Sequence, residues 1–431
     1  MPANRPGEDE PMKALKNTAI KTLAALAAAS ALSWPLAAAA GELRFWTWRN
    51  EDKAAYAEFF KDFNKQHPDV KITFEAFEPQ NYPTVLSTAM AGDKGPDVMM
   101  VRAYGAFEAV ARPGYLLELN ESNVPGLSKL PEPALKGQTL RADGKIYAVP
   151  FATQTMLIIY NTEIFARVGV KPPETWDELL EVSKKLKAAG VIPFANGTAT
   201  AWQNETLVSA LLSSQFGKQF EADIVSGKAD FTDKRFVEAL GRLQDLAKAD
   251  YLSPSFSGID YPSSQQLFSS GAAAMFAGGS FELAPFLKSN PALKLDVFAS
   301  PVLKKGDERL VGIFLDGGYA VNAKSANKED GLKLMRYFAS KEFGEKFANT
   351  LGNLSPIPGV TFTDPMLKKV ADLNKSSMSY MMAVHFRYQE PSGSVLLQSG
   401  IQKMLAGKAT PAETGADITK GIATYYAPFK K

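Results

Sequence analysis

From Leu43 onward the chain alternates short apolar runs with longer stretches whose apolar residues recur every three or four positions. Leu43 to Trp48 reads as a strand. Asp52 to Gln66 reads as a helix, with Tyr56, Phe59, Phe60 and Phe63 on one face. Val70 to Ala76 is the next strand, stopped by Glu78-Pro79. Tyr82 to Met90 is helical, Asp97 to Val101 is a short strand after Gly95-Pro96, and Ala106 to Ala111 is a helix ended by Pro113-Gly114. Strands are expected at Lys145–Pro150, after the Asp143-Gly144 turn, and at Thr155–Tyr160. Thr175 with Glu178 three residues on is a capping box, opening a helix that runs to Ala189 and stops at Gly190. Helices follow near Asn204–Leu212, Lys234–Ala249 and Ser263–Ser269, then a strand at Ala272–Phe276 before Gly278-Gly279. Residues 311–323 predict a strand interrupted by Gly317-Gly318. Asn327–Ala339 and Lys341–Leu351 are helical, as is the chain from Val395, with breaks at Gly407 and Pro411. The alternation predicts an α/β protein with mainly parallel sheets. No tandem repeat or long low-complexity linker appears, so domains joined by several short crossings are expected.

The N-terminus has a different pattern. Lys13, Lys16 and Lys21 precede an apolar run from Leu23 to Leu36, closed by Ala37 to Ala40. A basic start, a short apolar stretch and small residues describe a cleaved secretory signal peptide over residues 1–40, with Met12 as the expected start. Ser30, Ser33 and Pro35 make the run a poor membrane span. No cysteine follows it, which excludes a lipid anchor of the bacterial lipoprotein kind. An exported periplasmic protein, not membrane-anchored, is expected.

Composition narrows the chemistry. In 431 residues there are 48 Lys plus Arg and 46 Asp plus Glu, a net charge of +2. That balance argues against nucleic acid or a membrane surface as partner. With 0 Cys there are no disulfides, thiolate metal sites or cysteine nucleophiles. The 2 histidines, His67 and His385, exclude a multi-histidine zinc site. No metal and no cofactor are expected.

An ordered set of motifs resembles the extracellular solute-binding proteins of sugar ABC transporters, the family that includes maltose-binding protein. The set begins with Gly95-Pro96-Asp97-Val98. Its most specific part is Asp143 to Pro150, Tyr160-Asn161, and Pro173 to Leu179. Gly271 to Glu282, Gly318 to Ser340, and Gln402 to Lys408 complete it. The resemblance implies a two-lobe periplasmic-binding-protein fold with a ligand cleft between lobes that close on a solute by hinge motion. It implies lobe 1 from 41–150 plus about 316–360, and lobe 2 from 151–315 plus about 361–431. Short crossings near Pro150–Thr153 and Asp316–Gly318 are the expected hinges, since glycine absorbs large changes in φ and ψ.

A carbohydrate offers hydroxyls and flat C–H faces, so its site needs aromatic platforms beside carboxylates, amides and guanidiniums. Trp46 and Trp48, two apart near the end of the first strand, either face the cleft or fill the core under a helix. Glu51, with Arg49 and Asn50, follows in the loop, and Glu78 follows the second strand. Trp202 lies in a polar stretch from Asn196 to Asn204, which suits a stacking platform. Gly279, Ser280 and Phe281 form a turn that lets backbone approach a ligand, or that Ser280 caps. Asp316 and Gly317 stand at the return crossing. From the resemblance come Arg102 and Tyr104 facing the cleft, Gln154 at the first crossing, and Arg387 near the second-lobe wall. Asp97, Trp176, His67 and His385 are expected to be structural or without a role.

The expected function is capture of a di- or oligosaccharide by a monomeric receptor that delivers it to an ABC permease, without catalysis. Two other classes compete. One is a binding protein for a non-sugar solute, such as a polyamine, phosphate, iron chelate or peptide. The other is a secreted glycosidase or lyase using a carboxyl pair drawn from Glu78, Asp97, Glu205, Glu282 and Asp316.

Overall fold

The computed structural model describes residues 42–79 and 81–430; the expected signal peptide lies outside them. Strands β1 (Glu42–Thr47), β2 (Lys71–Ala76), β3 (Val98–Arg102), β4 (Val149–Asn161), β5 (Ile192–Phe194), β6 (Ala273–Gly279), β7 (Leu295–Phe298), β8 (Val311–Val321) and β9 (Ser377–Ser379) form one connected sheet. Its order is β2-β1-β3-β8-β4-β6-β5, with β7 beside β4 and β9 beside β8.

Two apolar cores divide this sheet. The first gathers Phe45, Tyr56, Phe59, Phe63, Met99, Tyr319, Phe338 and Phe343. Its aromatic face comes from the helix Lys53–Gln66, which buries Tyr56, Phe59, Phe60 and Phe63. Truncating Phe59 to Ala would cost about 3–5 kcal/mol. The second core lies on both faces of β4. Met156, Ile158 and Tyr160 pack with Trp176, Leu207 and Ile401. Leu157 and Ile159 pack with Phe268, Phe276 and Phe286. Strand alternation sends successive residues to opposite faces, so a strand covered on both sides must read as one apolar run.

The chain passes between the cores three times. β4 runs outward from Ala152, in the first core, to Met156, in the second. β8 returns from Val311 to Tyr319. The third passage lies between Leu351 and Phe362, where Ile357 packs with the first core and Leu354 and Phe362 with the second. All three meet at Thr153, which pairs with Leu315 in β8 and whose backbone N–H donates to the Leu354 carbonyl at 2.8 Å. The β4–β8 register shifts between Pro150 and Thr153. Such an irregularity bends a strand locally.

Parallel pairing is present at β1–β2, β1–β3, β5–β6 and β8–β9. The pairs β3–β8, β4–β8, β4–β6 and β4–β7 are antiparallel. The sheet is therefore more mixed than the sequence predicts. The reason is directional: β4 leaves the first lobe and β8 re-enters it.

Three local expectations also change. The strands expected at Lys145–Pro150 and Thr155–Tyr160 are one 13-residue strand beginning at Val149. β8 is unbroken through Gly317-Gly318. These glycines answer close packing instead: a Cβ at Gly317 would lie 2.2 Å from the Val101 carbonyl oxygen and 3.0 Å from the Trp48 ring. The helix expected at Asn204–Leu212 spans Ala201–Ser226, kinked at Gly217 with φ of 75°. Among the described residues no helix is long and apolar enough to cross a membrane.

Candidate functional site

The passages bring one cluster of charge together. β3 and β8 pair Arg102 with Gly317, which puts the Arg102 side chain beside Asp316. Arg102 Nη1 lies 2.7 Å from Asp316 Oδ1. Its guanidinium carbon sits 3.8 Å from the centre of the Trp48 ring. Arg49 donates to Asp52 and stands 3.9 Å from the second oxygen of Asp316. Burial works against the Arg49 charge, but Asp52, Asp316 and Glu51 overcome it and hold the pKa above its ordinary value. Burial pulls the Arg102 pKa down; Asp316 opposes that shift, and the charges of Arg387 and Arg49 add to it. Arg387 faces Glu205 at 3.9 Å. Glu205 is buried, accepts from Ser394 and Gln398, and has its pKa raised by that burial.

A second cluster is aromatic. Trp202 occupies the first turn of the helix Ala201–Ser226 and is half-buried. Its ring meets Tyr261 edge-on at 4.6 Å and Phe281 at 6.1 Å. Tyr261 opens the helix Tyr261–Ser269, whose cap is Asp260. Burial pushes the Tyr261 hydroxyl pKa up; Glu282 adds to it, and so does Glu51. Glu51 itself is exposed.

A third group is internal to the crossings. Gln154 is 1 % exposed and Ser280 2 % exposed. The Ser280 hydroxyl donates to Gln154 Oε1 at 3.1 Å, and Gln154 Nε2 donates to Asn353 Oδ1 at 3.2 Å. The Ser280 oxygen also accepts the Thr155 backbone N–H. These bonds tie β4 to the turn after β6 and, through Asn353, to the third passage, and each polar side-chain atom of Gln154 and Ser280 has a protein partner.

Several sequence-predicted residues stand apart or covered. Trp46 belongs to the first core, with Phe77 and Arg44 against its ring. Trp48 is also buried, and its exposed face is taken by Arg102. Trp48 lies just beyond the end of β1, which closes at Thr47. Glu78 is exposed in a surface turn, and its backbone carbonyl accepts from Asn81 and Tyr82. The space left by Gly279 is filled by the Phe281 ring, which would lie 2.1 Å from a Cβ there. Tyr104 is buried at φ of 60°, a costly conformation for a non-glycine residue. Its hydroxyl accepts the Leu315 backbone N–H at 3.1 Å, and its own N–H donates to Gly137. Asp97, Trp176 and His385 fill structural positions: Asp97 accepts from Arg44, Trp176 is in the second core, and His385 bonds Glu221.

Residues not anticipated also meet at the boundary. Arg141 stacks 3.4 Å over Tyr388, and Glu108 accepts from Arg141 beneath it. Gly105 lies so close to the second lobe that a Cβ would sit 1.7 Å from the Arg387 carbonyl oxygen. Tyr261 is the most consequential omission. In the sequence it falls just before the helix expected at Ser263–Ser269.

Comparison with known proteins fits this architecture. Residues 47–345 match the model of the bacterial extracellular solute-binding protein family. The multiple sugar-binding protein of Streptococcus mutans is 24% identical over 327 residues, covering 74% of this chain and 76% of that one. The sn-glycerol-3-phosphate-binding periplasmic protein of Brucella suis is 27% identical over 290 residues, 63% of this chain and 65% of that one. A structure from a study of xylan utilization by Caldanaerobius polysaccharolyticus superimposes with a TM-score of 0.74 at 25% identity, covering 88% of this chain and 98% of that one. With two cores, three short passages and a family match over most of its described length, the chain belongs to the bacterial extracellular solute-binding proteins.

Proposed function

We propose that this protein is the periplasmic receptor of an ABC importer and captures an uncharged di- or oligosaccharide between its lobes. The lobes are residues 42–150 with about 316–360, and 151–315 with about 361–430. Solute is gripped on closure and handed to the permease without turnover. One observation carries the reading: half-buried Trp202 meets Tyr261 edge-on at 4.6 Å and Phe281 at 6.1 Å, an aromatic wall left partly open to a solute. Aromatic rings suit C–H faces of a sugar, and the exposed Glu51 carboxylate suits its hydroxyls. Arg102, Asp316 and Arg387 line the same boundary. The sugar-binding relative from Streptococcus mutans supports the reading.

The glycerol-3-phosphate relative suggests an anionic solute instead. The charge pattern disfavours it. Arg49 is matched by Asp52 and Asp316, Arg102 by Asp316, and Arg387 by Glu205. A phosphate ester needs an unmatched cation to repay its desolvation. Isothermal titration calorimetry with maltotriose, raffinose, xylobiose, chitobiose, sn-glycerol-3-phosphate and putrescine tests this. Heat of binding from a neutral saccharide alone is expected. Tight binding of the phosphate or the diamine with no saccharide response would replace the reading, and release of reducing ends from a saccharide would make the protein a glycosidase.

A further inference from the structure

Glu282 is 1 % exposed at the end of the turn that follows β6. Among the described residues no lysine, arginine or histidine pairs with it. Its contacts are two: the Tyr261 hydroxyl donates to Oε2 at 2.8 Å, and Gln265 Nε2 donates to the same oxygen at 2.9 Å. Gln265 Nε2 also lies 2.9 Å from the Tyr261 oxygen, which closes a three-membered set. Burying a carboxyl without a cation is costly, and a leucine would fill the volume more cheaply. What the carboxyl secures is one ring. Tyr261 has a hydrogen bond at its far end and Trp202 edge-on at 4.6 Å against its side.

We propose that Glu282 is a positioning residue of the solute site: through Tyr261 it sets the angle of the Trp202–Tyr261–Phe281 wall and does not itself touch the solute. The proposal rests on the carbohydrate reading above and deepens it, because a stacking platform recognises a sugar only when its ring plane is fixed before binding. Burial also pushes the Glu282 carboxyl up to about 7, against the bonds from Gln265 and Tyr261, so the group is held where its charge is poorly solvated.

The test uses the mature protein and four variants: Glu282→Gln, Glu282→Leu, Tyr261→Phe, and the Glu282→Leu/Tyr261→Phe pair. Affinity is measured by calorimetry for the tightest binder among maltotriose, raffinose, xylobiose and chitobiose. The Trp202 environment is read by near-ultraviolet circular dichroism, as the difference from a matching Trp202→Phe protein. Glu282→Leu is expected to weaken binding about tenfold and to change the Trp202 signal. Glu282→Gln, which keeps an acceptor for the hydroxyl, should stay within about threefold and preserve the signal. The pair should be no worse than Tyr261→Phe alone. An unchanged affinity and Trp202 signal in Glu282→Leu overturns the proposal, and so does a full tenfold loss added on top of Tyr261→Phe. If no saccharide binds, the carbohydrate reading fails while the Trp202 signal still decides whether Glu282 orients the wall. If Glu282→Leu does not fold, the Glu282→Gln and Tyr261→Phe proteins carry the comparison: a preserved signal in the first and a changed one in the second is expected, and the reverse overturns it.

Discussion

Arg102 and Asp316 stand 214 residues apart in the chain, yet Nη1 of one lies 2.7 Å from Oδ1 of the other. The bond joins the last residue of β3 to the strand that returns from the second lobe. The same carboxylate faces Arg49, which keeps Asp52, so removing it strips Arg102 of its carboxylate partner. Asp316→Ala should lower stability to urea by on the order of 3 kcal/mol and weaken saccharide binding at least about tenfold. Asp316→Asn, which keeps an acceptor, should lose less of both. Equilibrium urea unfolding and calorimetry on the same samples check the pair of effects.

Trp202 and Trp46 should separate recognition from packing. Trp202→Ala is expected to cost about 1–3 kcal/mol of saccharide binding while leaving the urea midpoint nearly unchanged. Trp46→Phe should do the opposite, lowering the midpoint and sparing affinity, because its ring is buried in the first core, with Phe77 and Arg44 against it. Equal loss of affinity in both variants would return Trp46 to the cleft.

Gly105 reports on the contact between lobes. A methyl group there would meet the Arg387 carbonyl, a backbone atom that cannot swing aside. Gly105→Ala should therefore push the lobes apart and weaken binding without changing a residue proposed to touch the solute. The loss should appear as a larger radius of gyration in the presence of saccharide. Unchanged dimensions with unchanged affinity would mean that the contact plays no part in closure.

Glu282 gives a pH signature of known sign. Its folded pKa of about 7 lies above the ordinary carboxylate value of 4.5, so the folded state holds the proton more tightly than the unfolded one. Wild-type stability should be greatest, relative to Glu282→Gln, below about pH 4.5. It should decline as the pH rises toward 7, by on the order of 3 kcal/mol in total, and level off above. Urea midpoints of the two proteins across pH 4–9 measure it. The difference between them removes contributions from Glu205 and Glu221, which both share.

Local features were readable from sequence because local interactions fix them. The face of Tyr56, Phe59, Phe60 and Phe63 and the Thr175–Glu178 capping box both appear as expected. So does the run from Met156 to Tyr160, which is buried on both sides. The roles of Trp46 and Trp48 were not readable: their ring partners Phe77 and Arg102 arrive from other parts of the chain. Gly317-Gly318 carries the composition of a break, but its cause is the Val101 carbonyl and the Trp48 ring, which no local pattern encodes. Trp202 stood out because it is an indole in a polar stretch. Tyr261 did not, and Glu282 entered only as one of five candidate glycosidase carboxylates, since nothing local joins the two before the fold does.

Whether the lobes shut on a carbohydrate is decided by small-angle X-ray scattering of the mature protein with and without the saccharides used for calorimetry. At least one saccharide should shrink the radius of gyration at saturating concentration. A scattering curve that stays the same with every saccharide, including one shown by its heat to be bound, would contradict closure over a sugar.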